Sequence, residues 1–149
     1  MTRELSHVDE EGQVRMVDVG AKPLSRRRAR AGAIVRVAPE TARRLRELPK
    51  GDALAAARLA GIMAAKRTSE LIPLCHPLPL SSIELSVDVR DDRVEIVAVV
   101  ETVAQTGVEM EALVGASVAA LTVYDMAKGV DRRMVVEEVR LLEKTKTQP

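Results

Sequence analysis

The chain has almost no aromatic side chains. Among 149 residues there is no Phe and no Trp, and Tyr124 stands alone. A sheet that reads nucleic acid by stacking bases on rings is thereby excluded. So is an aromatic cage for a quaternary cation. An excess of either charge is also missing: 23 Lys and Arg face 22 Asp and Glu, a net charge of +1. Non-specific nucleic-acid binding calls for a markedly basic domain. The single cysteine, Cys75, permits no internal disulfide. A secreted fold stapled by bridges is ruled out, and a reducing cytosol fits. Long apolar runs are absent. The longest uncharged stretch, Ala112–Tyr124, has 13 residues, too few to cross a bilayer. The polar start MTRELSHVDEEG lacks the apolar segment of a signal peptide. The expectation is a cytoplasmic chain with neither nucleic-acid nor membrane partners.

What is present is aliphatic and patterned. Hydrophobic residues make up 46% of the chain, so the core must be Ala, Val, Leu, Ile and Met. The length suits a single domain, 1–149, that buries roughly 70% of its unfolded surface. Residues 1–12 read as a mobile arm and 144–149 as a short polar tail. Gln13–Val19 has the makings of a short strand and Lys22–Arg28 of a basic loop. From Ala29 the pattern has period 2, with Ala29, Ala31, Ala33, Val35 and Val37 on one face, which predicts a strand. Pro39 suits a helix's first turn, and PETARRLREL (39–48) continues it. Asp52 is a natural N-cap for a second helix, Ala53–Lys66. Three prolines keep 72–80 out of helix and central strand. Ser82–Arg90 and Arg93–Val103 alternate as a hairpin around Asp91-Asp92. Thr106 and Glu109 fit a capping box for a helix Gly107–Lys128, with Gly129 as its left-handed stop. Met134–Lys144 closes as a strand.

The order β-α-α-β-β-α-β predicts an α+β fold. It is the ferredoxin-like split βαβ, an antiparallel sheet with helices packed on one face. Nothing in the chain covers the other face, where few charges lie along Val94–Val100. A second subunit is expected there, making the protein an oligomer.

Four groups of residues could carry chemistry. Lys50, in Lys50-Gly51-Asp52 at a helix start, could bind phosphate or transfer protons; the alternative is a solvated loop lysine. His76 sits in the proline-fixed loop Leu74-Cys75-His76-Pro77, as a binding or proton-transfer group or as loop packing. Cys75 reads more readily as a small buried hydrophobe than as a nucleophile. One Cys and two His without paired spacing make no structural zinc site. In the long helix, Glu111 and Asp125 fall on one face, and Asp125 and Lys128 are i,i+3 neighbours; their pairing could be no more than a surface salt bridge. Glu111 and Asp125 lie 14 residues apart, about 21 Å along the axis at ~1.5 Å per residue. Both can serve one site only if a second subunit supplies one of them or the ligand is long. The fourth group is basic: Arg26, Arg27, Arg28, Arg30, Lys66 and Arg67. It could be a phosphate grip or a solvated, aggregation-resisting edge. Tyr124 faces about 100° away from Asp125 and reads as helix packing.

Four segments bear on function together: LSHVDEEGQVRMVDVGAK (5–22), KRTSELIPLCHPLPL (66–80), TGVEMEAL (106–113) and VAALTVYDMAKGVDRRM (118–134). In order and with little gapping, they resemble the cyclic pyranopterin monophosphate synthase family of molybdenum-cofactor biosynthesis. The resemblance implies a ferredoxin-like fold and a hexamer, a trimer of dimers with active sites between subunits. It implies conversion of 3′,8-cyclo-7,8-dihydro-GTP to cyclic pyranopterin monophosphate with release of pyrophosphate. It marks Asp125, Lys128 and Lys50 as catalytic. Leu74, Cys75, His76, Met110 and Glu111, with Glu109 beside them, become substrate-binding, and Arg27, Arg30, Lys66 and Arg67 triphosphate contacts. No cofactor or protein-held metal is required, though Mg²⁺ could accompany the triphosphate. The family's tail commonly carries a Gly-rich segment with a lysine, whereas this chain ends LLEKTKTQP; Lys144 or Lys146 could partly substitute. Two other classes compete: a small-molecule regulatory module on the same scaffold, and an RNA binder using the Arg run, which the charge balance and missing aromatics oppose.

Overall fold

Side-chain alternation in β1 (Ser25–Arg36) organises the molecule, whose computed structural model describes residues 6–149. Ala29, Ala31, Ala33 and Val35 are buried on one face of the strand. Chain order continues through α1 (Pro39–Ala42), α2 (Ala53–Lys66), α3 (Thr68–Leu71), β2 (Leu80–Val89), β3 (Arg93–Ala104), α4 (Glu109–Ala127) and β4 (Val135–Thr147). The sheet order is β2-β3-β1-β4, with every neighbouring pair antiparallel. This is the expected ferredoxin-like α+β arrangement. The inward residues of β3, Val94, Ile96, Ala98 and Val100, meet those of β1 beneath the helices.

Small residues set how closely the two long helices approach. A Cβ on Gly61 of α2 would lie 2.9 Å from both the Gly115 carbonyl oxygen of α4 and Leu85 Cδ1 of β2. Replacing Gly61 by Ala gains about 1 kcal/mol of helix propensity. A backbone oxygen at 2.9 Å cannot swing aside, so overpacking falls in the upper part of the usual range of about 1–3 kcal/mol, and the loss prevails. We expect Gly61→Ala to lower unfolding free energy in urea by about 1–2 kcal/mol; an unchanged or higher midpoint would contradict this contact.

α4 is long and apolar enough to span a bilayer, with a mean hydropathy of 1.3. Its residues Ala112, Ala116, Ala119, Ala120 and Val123 are nevertheless buried against α2 and the sheet, as in the core helix of a soluble domain.

Several boundaries differ from the sequence-based expectation. The basic loop 22–28 is half strand: Arg26, Arg27 and Arg28 pair with Val103, Thr102 and Glu101 on one side and with Thr147, Lys146 and Thr145 on the other. Pairing on both sides satisfies the backbone, which outweighs the local charge. For the same reason β4 runs to Thr147, three residues past its expected end. The first helix stops at Ala42. Its continuation tightens into i→i+3 turns, Arg44 N–H to Thr41 and Glu47 N–H to Arg44, which bury Leu45 and Leu48 together. The capping box does not form: α4 starts after Val108 with no side-chain cap, and Glu109 instead meets Lys144 of β4 at 3.2 Å. Gly129 is not a left-handed stop, since among the described glycines only Gly12 and Gly51 have positive φ. A short helix, α3, follows α2, with the Thr68 hydroxyl donating to the Ala65 carbonyl at 2.9 Å. Gln13–Val19 is not a strand; Val14 makes one isolated bridge to Val8. Residues 6–12 of the expected arm form a turn in which Asp9 accepts from the Glu11 and Gln13 amides at 3.1 and 2.7 Å. Residues 1–5 lie outside the described residues.

The outer sheet face mixes apolar and charged groups. Ile34, Val97 and Val99 are half-buried there, among the pairs Arg28–Glu101 at 3.2 Å and Arg30–Glu143 at 3.5 Å.

Candidate active site

The proline loop 72–79 and the start of α4 enclose a cleft of about 340 Å³. Leu74, Cys75 and His76 form one wall, and Glu109, Met110 and Glu111 another. The expected substrate-binding residues are thus brought together. A third wall comes from the segment before β1: Ser6, His7, Val17, Val19 and Lys22. None of these five was singled out from sequence, although all fall within the quoted segment 5–22. Their sequence signal was that resemblance, without a motif to assign roles. Two hydrogen bonds hold the segment in place. His76 Nε2 lies 2.6 Å from the Val17 carbonyl, and Gln105 Nε2 lies 3.3 Å from the Gly20 carbonyl. A carbonyl only accepts, so His76 carries its proton on Nε2, and in the neutral ring Nδ1 remains an acceptor.

Glu111 is the most perturbed group of the cleft. It is 6% exposed, and its Oε2 has no hydrogen-bond partner. Burial, with some help from the Glu109 charge, pushes its carboxyl pKa up to about 7. In the neutral form it both donates and accepts a hydrogen bond. Burial, then Glu111 and Glu109, push the Cys75 thiol above its ordinary value. Cys75 therefore stays a thiol at neutral pH, which suits binding better than nucleophilic attack.

The second group lies at the far end of α4. Asp125 is bridged by two lysines: Lys128 Nζ to Oδ1 at 2.8 Å and Lys50 Nζ to Oδ2 at 3.1 Å. Lys50 also donates to the Asp125 carbonyl at 3.2 Å. The hydrogen bond from Lys128, then that from Lys50, holds the Asp125 carboxyl below its usual range, and Asp125 raises the Lys128 ammonium. All three side chains are about half exposed. Such exposed pairs add little stability, so two lysines converging on one carboxylate suit proton handling or anion contact better than a structural brace. Tyr124, expected to pack, is 38% exposed beside this cluster.

The remaining basic residues scatter. Arg27 and Arg30 are three apart on β1 and so point to opposite faces. Arg27 lies beside the start of α4, at a second cavity of about 240 Å³. Arg30 pairs with Glu143 on the outer face. Lys66 and Arg67, at the end of α2, line neither cavity. Within one chain the lysine–aspartate cluster and the Glu111 cleft stay apart, about 21 Å along α4 at ~1.5 Å per residue. Among the described residues, no three of His, Cys, Asp and Glu gather as a metal-holding group.

A split βαβ sheet, a cleft of about 340 Å³ lined by titratable groups and a separate Lys-Asp-Lys cluster define an α+β domain with ionisable side chains gathered at both ends of its long helix. The chain belongs to the MoaC family, whose profile matches residues 16–147. It is 59% identical over 145 residues to a cyclic pyranopterin monophosphate synthase of Thermomicrobium roseum, covering 95% of this chain and 87% of that protein. Proteins of the same name from Herpetosiphon aurantiacus and Roseiflexus sp. are 56% and 55% identical, each over 95% of this chain and over 88% and 92% of their own lengths.

Proposed function

We propose that this chain is a cyclic pyranopterin monophosphate synthase of molybdenum-cofactor biosynthesis. It converts 3′,8-cyclo-7,8-dihydro-GTP to cyclic pyranopterin monophosphate and releases pyrophosphate. The supporting observation is identity of 55–59% to synthases over 95% of the chain, together with the groups such a reaction needs. Opening one ring and closing another requires proton donors and acceptors of tuned pKa. Lys50, Asp125 and Lys128 fill that role, while Leu74, Cys75, His76, Met110 and Glu111 hold the ring system. The distance between the two groups favours an active site shared by two subunits, within a hexamer built as a trimer of dimers. No cofactor is required by this reading, and Mg²⁺ could accompany the triphosphate. The cytoplasm is the compartment proposed.

The direct test is anaerobic incubation of the purified protein with the cyclised nucleotide, following pyrophosphate and pterin product. Turnover is expected. A folded protein that produces neither would overturn the assignment.

A further inference from the structure

Asp131 is a buried charge outside both the cleft and the lysine–aspartate cluster. It is 7% exposed. Among the described residues it has no cation within ion-pair distance. Backbone amides take the place of one. Ala38 N–H donates to its Oδ2 at 2.8 Å, and Arg133 N–H to its Oδ1 at 3.0 Å. Burial alone would raise its carboxyl pKa, but these bonds and one from the Thr41 hydroxyl hold it below the usual range. The carboxylate is therefore charged at neutral pH and gripped by donors from two separate stretches of chain.

Those stretches lead to the two lysines of the cluster. On one side, the Asp131 amide donates to the Ala127 carbonyl at 3.0 Å and the Lys128 amide to the Tyr124 carbonyl at 2.9 Å. Asp131 is thus fixed to the last turn of α4, three residues beyond Lys128. On the other side, Ala38 precedes α1 and has no side-chain cap of its own to offer, while Thr41 is buried within that helix. From Thr41 the chain proceeds by hydrogen-bonded turns. Arg44 N–H donates to Thr41, Glu47 N–H to Arg44 and Gly51 N–H to Leu48, each at 2.9 Å. Lys50 stands in the last of these turns, and buried Leu45 and Leu48 pin the run to the core.

Among the described residues, two sets of polar links join the run 38–51 to the end of α4. One is the half-exposed contact of Lys50 with Asp125; the other is Asp131. Exposed ion pairs hold two segments weakly, whereas charge-assisted bonds to a buried carboxylate hold them firmly. We propose that Asp131 is a positioning residue: by tying the start of α1 to the end of α4, it sets the register at which Lys50 meets Asp125 and Lys128. This rests on the synthase reading for what the cluster does, not for how it is held.

Asp131→Asn keeps the shape of the side chain but loses its charge and one acceptor. With the cyclised nucleotide it should lower kcat by about tenfold, the equivalent of one charge-assisted hydrogen bond. KM should stay nearly unchanged, because the cleft lies at the other end of α4. The loss should not multiply with that of Lys50→Ala, since a lysine already out of register has less to lose. Thr41→Val, which removes one donor and no charge, should act in the same direction by less. A second readout needs no turnover. Acylation of Lys50 by an amine reagent, followed by mass spectrometry with Lys22 and Lys66 as references, should rise in Asp131→Asn toward its value in Asp125→Ala. Unchanged Lys50 labelling in folded Asp131→Asn would overturn the proposal, as would a kcat loss that multiplies fully with that of Lys50→Ala. Should Asp131→Asn fail to fold, Thr41→Val carries the same two measurements. If the unmodified protein turns over no nucleotide, the synthase reading fails, and Lys50 labelling alone decides the role of Asp131.

Discussion

Replacing Lys128 by alanine leaves a folded protein whose turnover of the cyclised nucleotide falls by at least about a hundredfold, the usual contribution of a positioned general acid or base. Asp125→Ala and Lys50→Ala should each do the same. The three side chains are about half exposed, so little stability depends on them. Rates and melting curves should therefore separate cleanly. Because Asp125 holds both lysines, the double variant Lys50→Ala/Lys128→Ala should lose much less than the product of the single losses, as expected for groups that act together. Near-normal turnover in all three single variants would remove the cluster from catalysis. Loss of turnover that merely parallels loss of folding would make it structural.

The second large effect concerns Glu111 and pH. Its carboxyl rises from the usual 4.5 to about 7 in the folded protein. Between those values the folded state binds more protons than the unfolded state, so stability falls as pH rises. The contribution is fully present below about pH 4.5 and is lost by about pH 7, a total near 3 kcal/mol at about 1.36 kcal/mol per pKa unit. Glu111→Gln abolishes that slope. Urea unfolding at pH 5 and pH 8 should show the unmodified protein losing about 2.5 kcal/mol more than the variant between the two, the rest of the loss falling below pH 5. Parallel pH dependences would show that the carboxyl is not held in its neutral form. Under the proposed function, the same titration would remove the donor that neutral Glu111 offers to a bound ring, so ring affinity should change over the same pH range.

The fold was largely legible because its dominant pattern is local. Ala29 through Val37 and Val94 through Val100 alternate cleanly, and Asp52 caps α2 as expected, accepting from the Leu54 and Ala55 amides at 2.9 and 3.1 Å. The misreadings arose where partners distant in sequence decide. Nothing local shows that Arg26–Arg28 and Lys144–Thr147 stabilise each other as paired strands. Nor does the run 39–48 reveal that burying Leu45 and Leu48 favours tighter turns over helix. The cap at Thr106 failed because Glu109 had a better partner, Lys144, 35 residues away. At the site, the spacing of Asp125 and Lys128 announced their contact. Lys50 joins them from 75 residues away; its place at a helix start marked it as a candidate, but only the resemblance grouped it with Asp125 and Lys128. The cleft wall formed by residues 6–22 was hidden because a segment without regular structure has no periodicity to read.

The exposed position of Tyr124 has a practical consequence. With no tryptophan in the chain, this one ring supplies all of the protein's intrinsic emission. It sits on the residue before Asp125, so its fluorescence is a label-free optical gauge of the lysine–aspartate end of α4. A purine-derived ring brought against that end by a second subunit would quench the signal. One held only in the cleft of the same chain, about 20 Å distant along the helix, would leave it bright.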